Sequence, residues 1–267
     1  MTEELKVYMQ NHLKAVQKKE LDILCEVRDI CNRNGIEYWL DGGTCLGAVR
    51  HGGFIPWDDD IDICIHENDT KRFIEVMQRE LPSHLFLQTN ETDASYQSTI
   101  MKIRDNNSFL VEFCDDFNRD YHKGIYIDVF PMTDYPNVSK AFCHTITAGY
   151  CKANSILNKQ HLFSWRSAAE LIWFGMKRFI MKGIWSMANT VCGKGNFYAT
   201  LLPNNGLGFM HRKDGMFPLK PMMFEGEAFL GPANPDQYLT EQYGDYMQMP
   251  PEDKRHVHAV FYIEKLI

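Results

Sequence analysis

The run Asp58-Asp59-Asp60-Ile61-Asp62-Ile63-Cys64-Ile65 constrains this chain more than any other stretch. On an extended strand, side chains two apart point to one face, so Asp60 and Asp62 project together while Ile61, Ile63 and Ile65 project the other way. Such a strand belongs at the border between a core and a polar site. Two neighbouring carboxylates repel, and keeping both ionised near neutral pH is far easier with a divalent cation between them. An all-oxygen donor set of this kind suits Mg²⁺ or Mn²⁺. The competing reading is a solvated acidic turn.

The residues upstream favour the site. Ile36 to Leu40 is short, apolar and β-favouring, and Asp41-Gly42-Gly43-Thr44 stops it at once. A strand that ends in this way exposes backbone amides where a phosphate can approach, which makes Gly42, Gly43 and Thr44 candidate substrate-binding residues. Thr44 to Val49 reads as a short helix and Arg50 to Trp57 as a loop. Arg50, with Lys102 and Arg104 on one face of a predicted strand, can bring positive charge to diphosphate oxygens. Lys254, Arg255 and His258, in a polar stretch near the C-terminus, are weaker candidates for the same task.

Around this motif the chain alternates helices and strands. A helix is expected from Leu5 to about Asn34 and another from Thr70 to Glu80. Strands are expected at Leu85 to Gln88, Thr99 to Ile103 and Ile125 to Phe130. Lys140 to Val191 then turns to long helices, before mixed structure returns from Lys220 onward. The expected organisation is a catalytic core at 1–135, a helical subdomain at 136–215 and a C-terminal segment at 216–267 that returns to the core. The fold class is α/β (α+β).

The segment Tyr38-Trp39-Leu40-Asp41-Gly42-Gly43-Thr44, continued through Gly47-Ala48-Val49-Arg50-His51-Gly52-Gly53-Phe54-Ile55-Pro56-Trp57 to Asp62, resembles the LicD/fukutin phosphotransferases of the nucleotidyltransferase-like superfamily. The tail from Pro232 to Arg255, with Tyr243-Gly244-Asp245-Tyr246 and Pro250-Pro251-Glu252, is similar to the LicD type. The resemblance implies a nucleotidyltransferase-like mixed sheet with flanking helices. It also implies a third acid on a later strand, for which Asp128 fits and Asp134 competes. Asp60, Asp62 and Asp128 are then the expected catalytic and metal-holding set. The implied reaction transfers phosphocholine from CDP-choline to a hydroxyl of a glycan or lipid-linked glycan precursor of the teichoic acid or lipopolysaccharide type, releasing CMP. CDP-ribitol or CDP-glycerol as donor, nucleotidyl transfer to a small molecule, and a non-catalytic scaffold are the alternatives. A trimethylammonium head needs aromatic faces, for which Trp57, Tyr121, Tyr126, Phe130, Tyr243 and Tyr246 are available.

A formal net charge of -7 argues against an extended nucleic-acid footprint. The eight cysteines, with no CxxC pair, read as reduced core residues. The polar, helix-periodic N-terminus does not read as a signal peptide, and no stretch is apolar for long enough to span a bilayer. The expected location is cytoplasmic, at most peripheral at the inner face of the membrane. Glu170 to Val191, rich in both large apolar and basic residues, fits a packed core helix or an interfacial membrane helix, and core packing is the favoured reading.

Overall fold

The computed structural model describes residues 3–96, 98–113, 115, 117–159, 163–255 and 257–266. Cys114 and His256 therefore lie outside the described residues, and the other seven cysteines are free thiols. The chain divides into two compact units, one formed by 1–131 with 218–267 and the other by 132–217.

The first unit begins with α1 (Glu3–Asn34), whose inward positions Val16, Glu20, Ile23, Val27 and Ile30 follow helical spacing. Next come β1 (Tyr38–Leu40), α2 (Gly42–His51), β2 (Asp62–His66) and α3 (Thr70–Glu80). α3 buries Phe73, Val76 and Met77, and its helical run ends at Leu81, ahead of Pro82. Burial of each of these side chains is worth about 1.5–3 kcal/mol. β3 (Leu85–Gln88), β4 (Met101–Asp105), β5 (Phe109–Glu112) and β6 (Tyr126–Pro136) follow. The sheet order is β1-β2-β6-β4-β3, so the two longest-separated motif strands, β2 and β6, are neighbours at its centre. In β2, Ile63 and Ile65 are fully buried as expected and Asp62 at the strand's first position is half-buried; Cys64, expected on the polar face, is fully buried too, and Asp60 and Ile61 precede the strand.

The second half of β6 belongs to the other unit and pairs with β7 (Lys194–Thr200), which pairs in turn with β8 (His211–Arg212). Two long helices, α4 (Lys140–Leu157) and α5 (Trp165–Val191), pack against each other in this unit, and the short α6 (Lys213–Met216) closes it. Tyr135, Cys143, Ala199 and Met210 form its core, with Trp185 edge-on to Tyr135 at 4.7 Å.

The chain then returns to the first unit as the hairpin β9 (Lys220–Phe224) and β10 (Glu227–Gly231), the helix α7 (Pro235–Tyr243) and the strand β11 (Ala259–Ile263). β11 pairs antiparallel with β5, a pairing that spacing alone does not reveal because the two strands lie far apart in sequence. Their contact closes a cluster of Met9, Val16, Leu110, Ile125, Tyr126 and Tyr262 over one end of α1.

Candidate active site

Three adjacent strands carry the charged groups of the site. Asp62 opens β2, Asp128 sits on neighbouring β6, and Lys102 on β4 lies directly opposite Asp128 in the antiparallel register. The Lys102 ammonium lies 2.9 Å from Asp128 Oδ1 and 3.4 Å from Glu112 Oε2, over the Tyr126 ring at 3.2 Å from its centroid. A lysine this well buried is sustained by such paired carboxylates and by the π face. Tyr126 also donates a hydrogen bond to Glu112 Oε1 at 2.6 Å.

The four aspartates divide the work. Asp59 is buried and spends both oxygens on the last strand, accepting from the His258 N–H at 2.8 Å and the Ala259 N–H at 2.7 Å. Asp58 is also buried, and its carbonyl accepts from the Gln17 amide of α1 at 2.8 Å. Asp60 and Asp62 are half-buried. The His258 ring approaches Asp60 at 3.2 Å and Asp59 at 3.4 Å.

Electrostatics follow from this crowding. Burial, reinforced by Asp60, Asp128, Asp41 and Asp58, holds the Asp62 carboxyl well above the usual range. Burial and Asp60 push Asp58 up to about 8, while burial, partly offset by His258, pushes Asp60 up to about 6. Asp128 is raised by burial even with Lys102 pulling the other way. The hydrogen bond to Asp59 raises His258 to about 9, so the imidazole is charged at neutral pH. Glu20 of α1 is fully buried beneath the run with neither carboxylate oxygen hydrogen-bonded. Burial first, and then the Asp60, Asp59, Asp58 and Asp62 charges, raise its carboxyl well above the ordinary range.

Clustered acids that resist ionisation fit a divalent cation. No basic side chain among the described residues pairs with the Asp62 carboxylate, whereas Asp60 faces His258 and Asp128 faces Lys102; the three carboxylates themselves offer only oxygen, as a hard ion requires. Asp58, Asp59 and His258 offer atoms within 4.8 Å of one another. That trio is better read as an ion-paired latch, because His258 is protonated and Asp59 is committed to two backbone amides.

The glycine turn serves the carboxylates. A Cβ on Gly42 would meet Asp62 Oδ2 at 2.9 Å, and one on Gly43 would meet Asp58 Oδ2 at 2.9 Å. The two glycines thus make room for acid side chains at the start of α2. The Thr44 hydroxyl accepts the Asp62 N–H at 2.8 Å and ties α2 to β2. Asp41, just before the turn, accepts from the Tyr238 hydroxyl of α7 and from the Cys64 thiol.

Beside Asp128 opens a cavity of about 310 Å³, lined among others by Tyr96, Lys102, Arg104, Glu112, Asp115 and Tyr121. Tyr96 and Tyr121 meet edge to face at 6.0 Å, and the Tyr121 hydroxyl donates to Asp115 at 2.5 Å. Lys123 lies 3.8 Å from the Tyr121 centroid, so this ring already receives a cation.

Residues 35–163, which contain the glycine turn, the aspartate run and Asp128, match the LicD/FKTN/FKRP nucleotidyltransferase domain. The chain carries a LicD-family domain. Over 261 residues, 90% of this chain and 93% of the relative, it is 28% identical to the lipopolysaccharide cholinephosphotransferase LicD of Haemophilus influenzae. A shorter likeness, 57% identical over 35 residues, links it to the human ribitol 5-phosphate transferase FKRP, of which it covers 7%. Another, 35% over 57 residues, links it to the human ribitol-5-phosphate transferase FKTN, of which it covers 12%. Residues 35–163 thus carry a domain shared with proteins named as transferases.

Within the LicD-family domain, the structure brings together Asp60, Asp62, Asp128 and Lys102, with Arg104 in the cavity wall. Arg104 is buried and committed to the Gln88 side chain at 2.5 Å and the Gly124 carbonyl at 2.7 Å, so it braces the wall. Arg50 binds the Tyr246 carbonyl at 2.8 Å. Arg255 stacks on Trp57 at 4.3 Å, and Lys254 is exposed in a single helical turn. His258 contacts Asp59 and Asp60. Asp134 lies in the 132–217 unit, paired with Lys194 at 2.7 Å and Lys213 at 2.5 Å. Sequence reasoning missed Glu112, Asp115 and Tyr96 because they stand on short or irregular segments without periodicity. It missed the latching role of Asp59 because the partner amides lie about two hundred residues away.

Proposed function

We propose that this protein moves phosphocholine from CDP-choline to a hydroxyl of a cell-surface glycan precursor and releases CMP. The observation that carries the reading is the convergence of Asp60, Asp62 and Asp128 on one face beside a cavity that offers tyrosine rings and carboxylates together. The near full-length likeness to a cholinephosphotransferase supports the same choice of donor. Tyr96 and Tyr121, with Asp115 and Glu112, suit a quaternary ammonium that can donate no ordinary hydrogen bond.

Asp60, Asp62 and Asp128 would hold one or two Mg²⁺ or Mn²⁺ ions, which when bound neutralise the diphosphate and the leaving oxygen. Asp128 accepts the proton of the attacking hydroxyl, a task suited to a carboxyl raised above its ordinary range. A bond forms from the acceptor oxygen to the phosphorus next to choline, the bond from that phosphorus to the oxygen of CMP breaks, and CMP departs with the electron pair. Lys102 keeps Asp128 oriented and limits how far its affinity for the proton rises.

A second reading, transfer of ribitol phosphate from CDP-ribitol, is favoured by the 57% identity to FKRP over 35 residues. Calorimetric titration of CDP-choline, CDP-ribitol, CDP-glycerol and CTP with Mg²⁺ separates these, repeated on the double variant Asp60→Asn/Asp62→Asn. Preferential, metal-dependent binding of CDP-choline that the variant loses is expected. Preference for CDP-ribitol selects the second reading, preference for CTP points to nucleotidyl transfer, and binding of none returns the scaffold alternative.

A further inference from the structure

Helix α5 packs one side against α4, where Met181 and Lys177 approach Gly149 and Arg178 reaches Asn154 at 3.1 Å. Core packing therefore accounts for only part of its apolar surface. On the opposite side Ile172, Trp173, Met176, Phe179, Ile180 and Met187 stand in solvent, with Phe179 79% exposed, Ile172 64% and Trp173 61%. At 3.6 residues per turn these six fall within an arc of roughly 120°. Arg166 and Lys177 follow one edge of that arc and Lys182 the other.

The charge of the region contrasts with that of the rest. Between positions 140 and 192 there are seven basic and one acidic side chains, against 21 and 34 in the remainder of the chain. An apolar stripe with basic borders on an otherwise acidic protein is complementary to an anionic surface with an apolar interior. Lysine and arginine stems can lie along the acyl region while their heads reach phosphate groups. Self-association through this face would bring two strongly positive hairpins together, so charge opposes it. No helix among the described residues is long and apolar enough to cross a membrane, which leaves a helix lying in the interfacial plane.

We propose that the exposed face of α5 docks this protein on an anionic phospholipid bilayer, with Phe179, Ile172 and Trp173 inserted below the headgroups. The inference rests on the helix alone and stands apart from the identity of the donor.

The test uses the full chain with vesicles of phosphatidylcholine, alone or with about a third phosphatidylglycerol, at low and high salt. Co-sedimentation with the anionic vesicles at low salt is expected, with weaker binding in high salt and a blue shift of tryptophan emission that Trp173→Phe reduces. Phe179→Glu/Ile180→Glu should cut vesicle binding by roughly tenfold or more, and Lys177→Glu/Lys182→Glu by a similar factor. Phe179, Ile180 and Lys182 are exposed and Lys177 is half-buried beside α4, and unchanged circular dichroism and donor binding would show that the fold survives. Failure of the native protein to bind anionic vesicles at low salt overturns the proposal. So does binding that neither double variant weakens, or a doubled solution mass that Phe179→Glu/Ile180→Glu restores to monomer, which would assign the face to a second copy.

Discussion

The aspartate strand and helix α5 both alternate polar and apolar residues, and in each the polarity is the reverse of what stability alone would choose. Around β2 the acids Asp58, Asp59, Asp62 and Asp128, with Glu20 behind them, are turned inward to partial or full burial. Along α5 the reverse holds, and large apolar side chains are turned outward. Buried charge and exposed apolar surface are both costly, and each is informative where an exposed leucine or a buried isoleucine would not be. The difference between them lies in what is missing. The strand needs positive charge to complete it, whereas the helix needs a dry surface.

The sharpest way to break this contrast is to neutralise an acid. Asp62→Asn should reduce transfer by on the order of 10³-fold or more, as the loss of a principal electrostatic contact in a transition state does. It should at the same time raise the melting temperature of the metal-free protein, because it removes repulsion from Asp60 and Asp128. Loss of activity without gain in stability would show that the crowding is not the functional feature. Asp59→Ala should behave oppositely. It orphans the His258 and Ala259 amides and should cost about 3 kcal/mol in urea unfolding, with activity falling only as the C-terminal strand loosens.

Lys102→Met should lower turnover roughly 10- to 100-fold and move the acid limb of the pH–rate profile upward, because Asp128 loses the cation that holds its proton affinity down. A profile that stays in place would remove Asp128 from the role of base.

The pH dependence of stability probes the same groups more gently. Glu20, Asp58, Asp60 and Asp62 bind protons more tightly folded than unfolded, so their contribution is fully present below the unfolded carboxylate range near pH 4. It is lost as the pH rises through about 6 for Asp60 and about 8 for Asp58. The metal-free protein should accordingly melt at lower temperature at pH 8 than at pH 5.5. Mg²⁺ should restore several degrees at pH 8 and little at pH 5.5, as expected for an ion that binds only the folded, ionised state. Differential scanning fluorimetry reads both. The smallest effect is expected on the helix, where Phe179→Ser should change stability by no more than about 0.5 kcal/mol, since the side chain touches little.

Much of this was legible from the chain itself wherever a local rule operated. Strand alternation located Asp62 at the head of β2, with Asp60 just ahead of the strand, and helical spacing located α1 and α3 almost to the residue. Thr70 to Glu80 and Leu85 to Gln88 needed no adjustment. What could not be read were pairings set by tertiary closure, such as β5 with β11, Asp41 with Tyr238 and Asp59 with the Ala259 amide. The close approach of Asp62 to Gly42 and of Asp58 to Gly43 was hidden for the same reason. A glycine reports that something approaches closely, and only the fold tells whether that is a phosphate or a neighbouring carboxylate.

The Asp59 latch has a consequence for how this protein comes into being. Its two hydrogen bonds join positions 199 and 200 residues apart, and they hold the acidic run in place. While the ribosome is still adding the residues that become β11, the nascent chain has its glycine turn and its aspartates but nothing to anchor Asp59. The acid cluster then stands open to water and to cellular cations. Its geometry arrives late, with the final strand, so contacts of this sequence separation should make assembly of the first unit slow relative to the local pairing of α4 with α5.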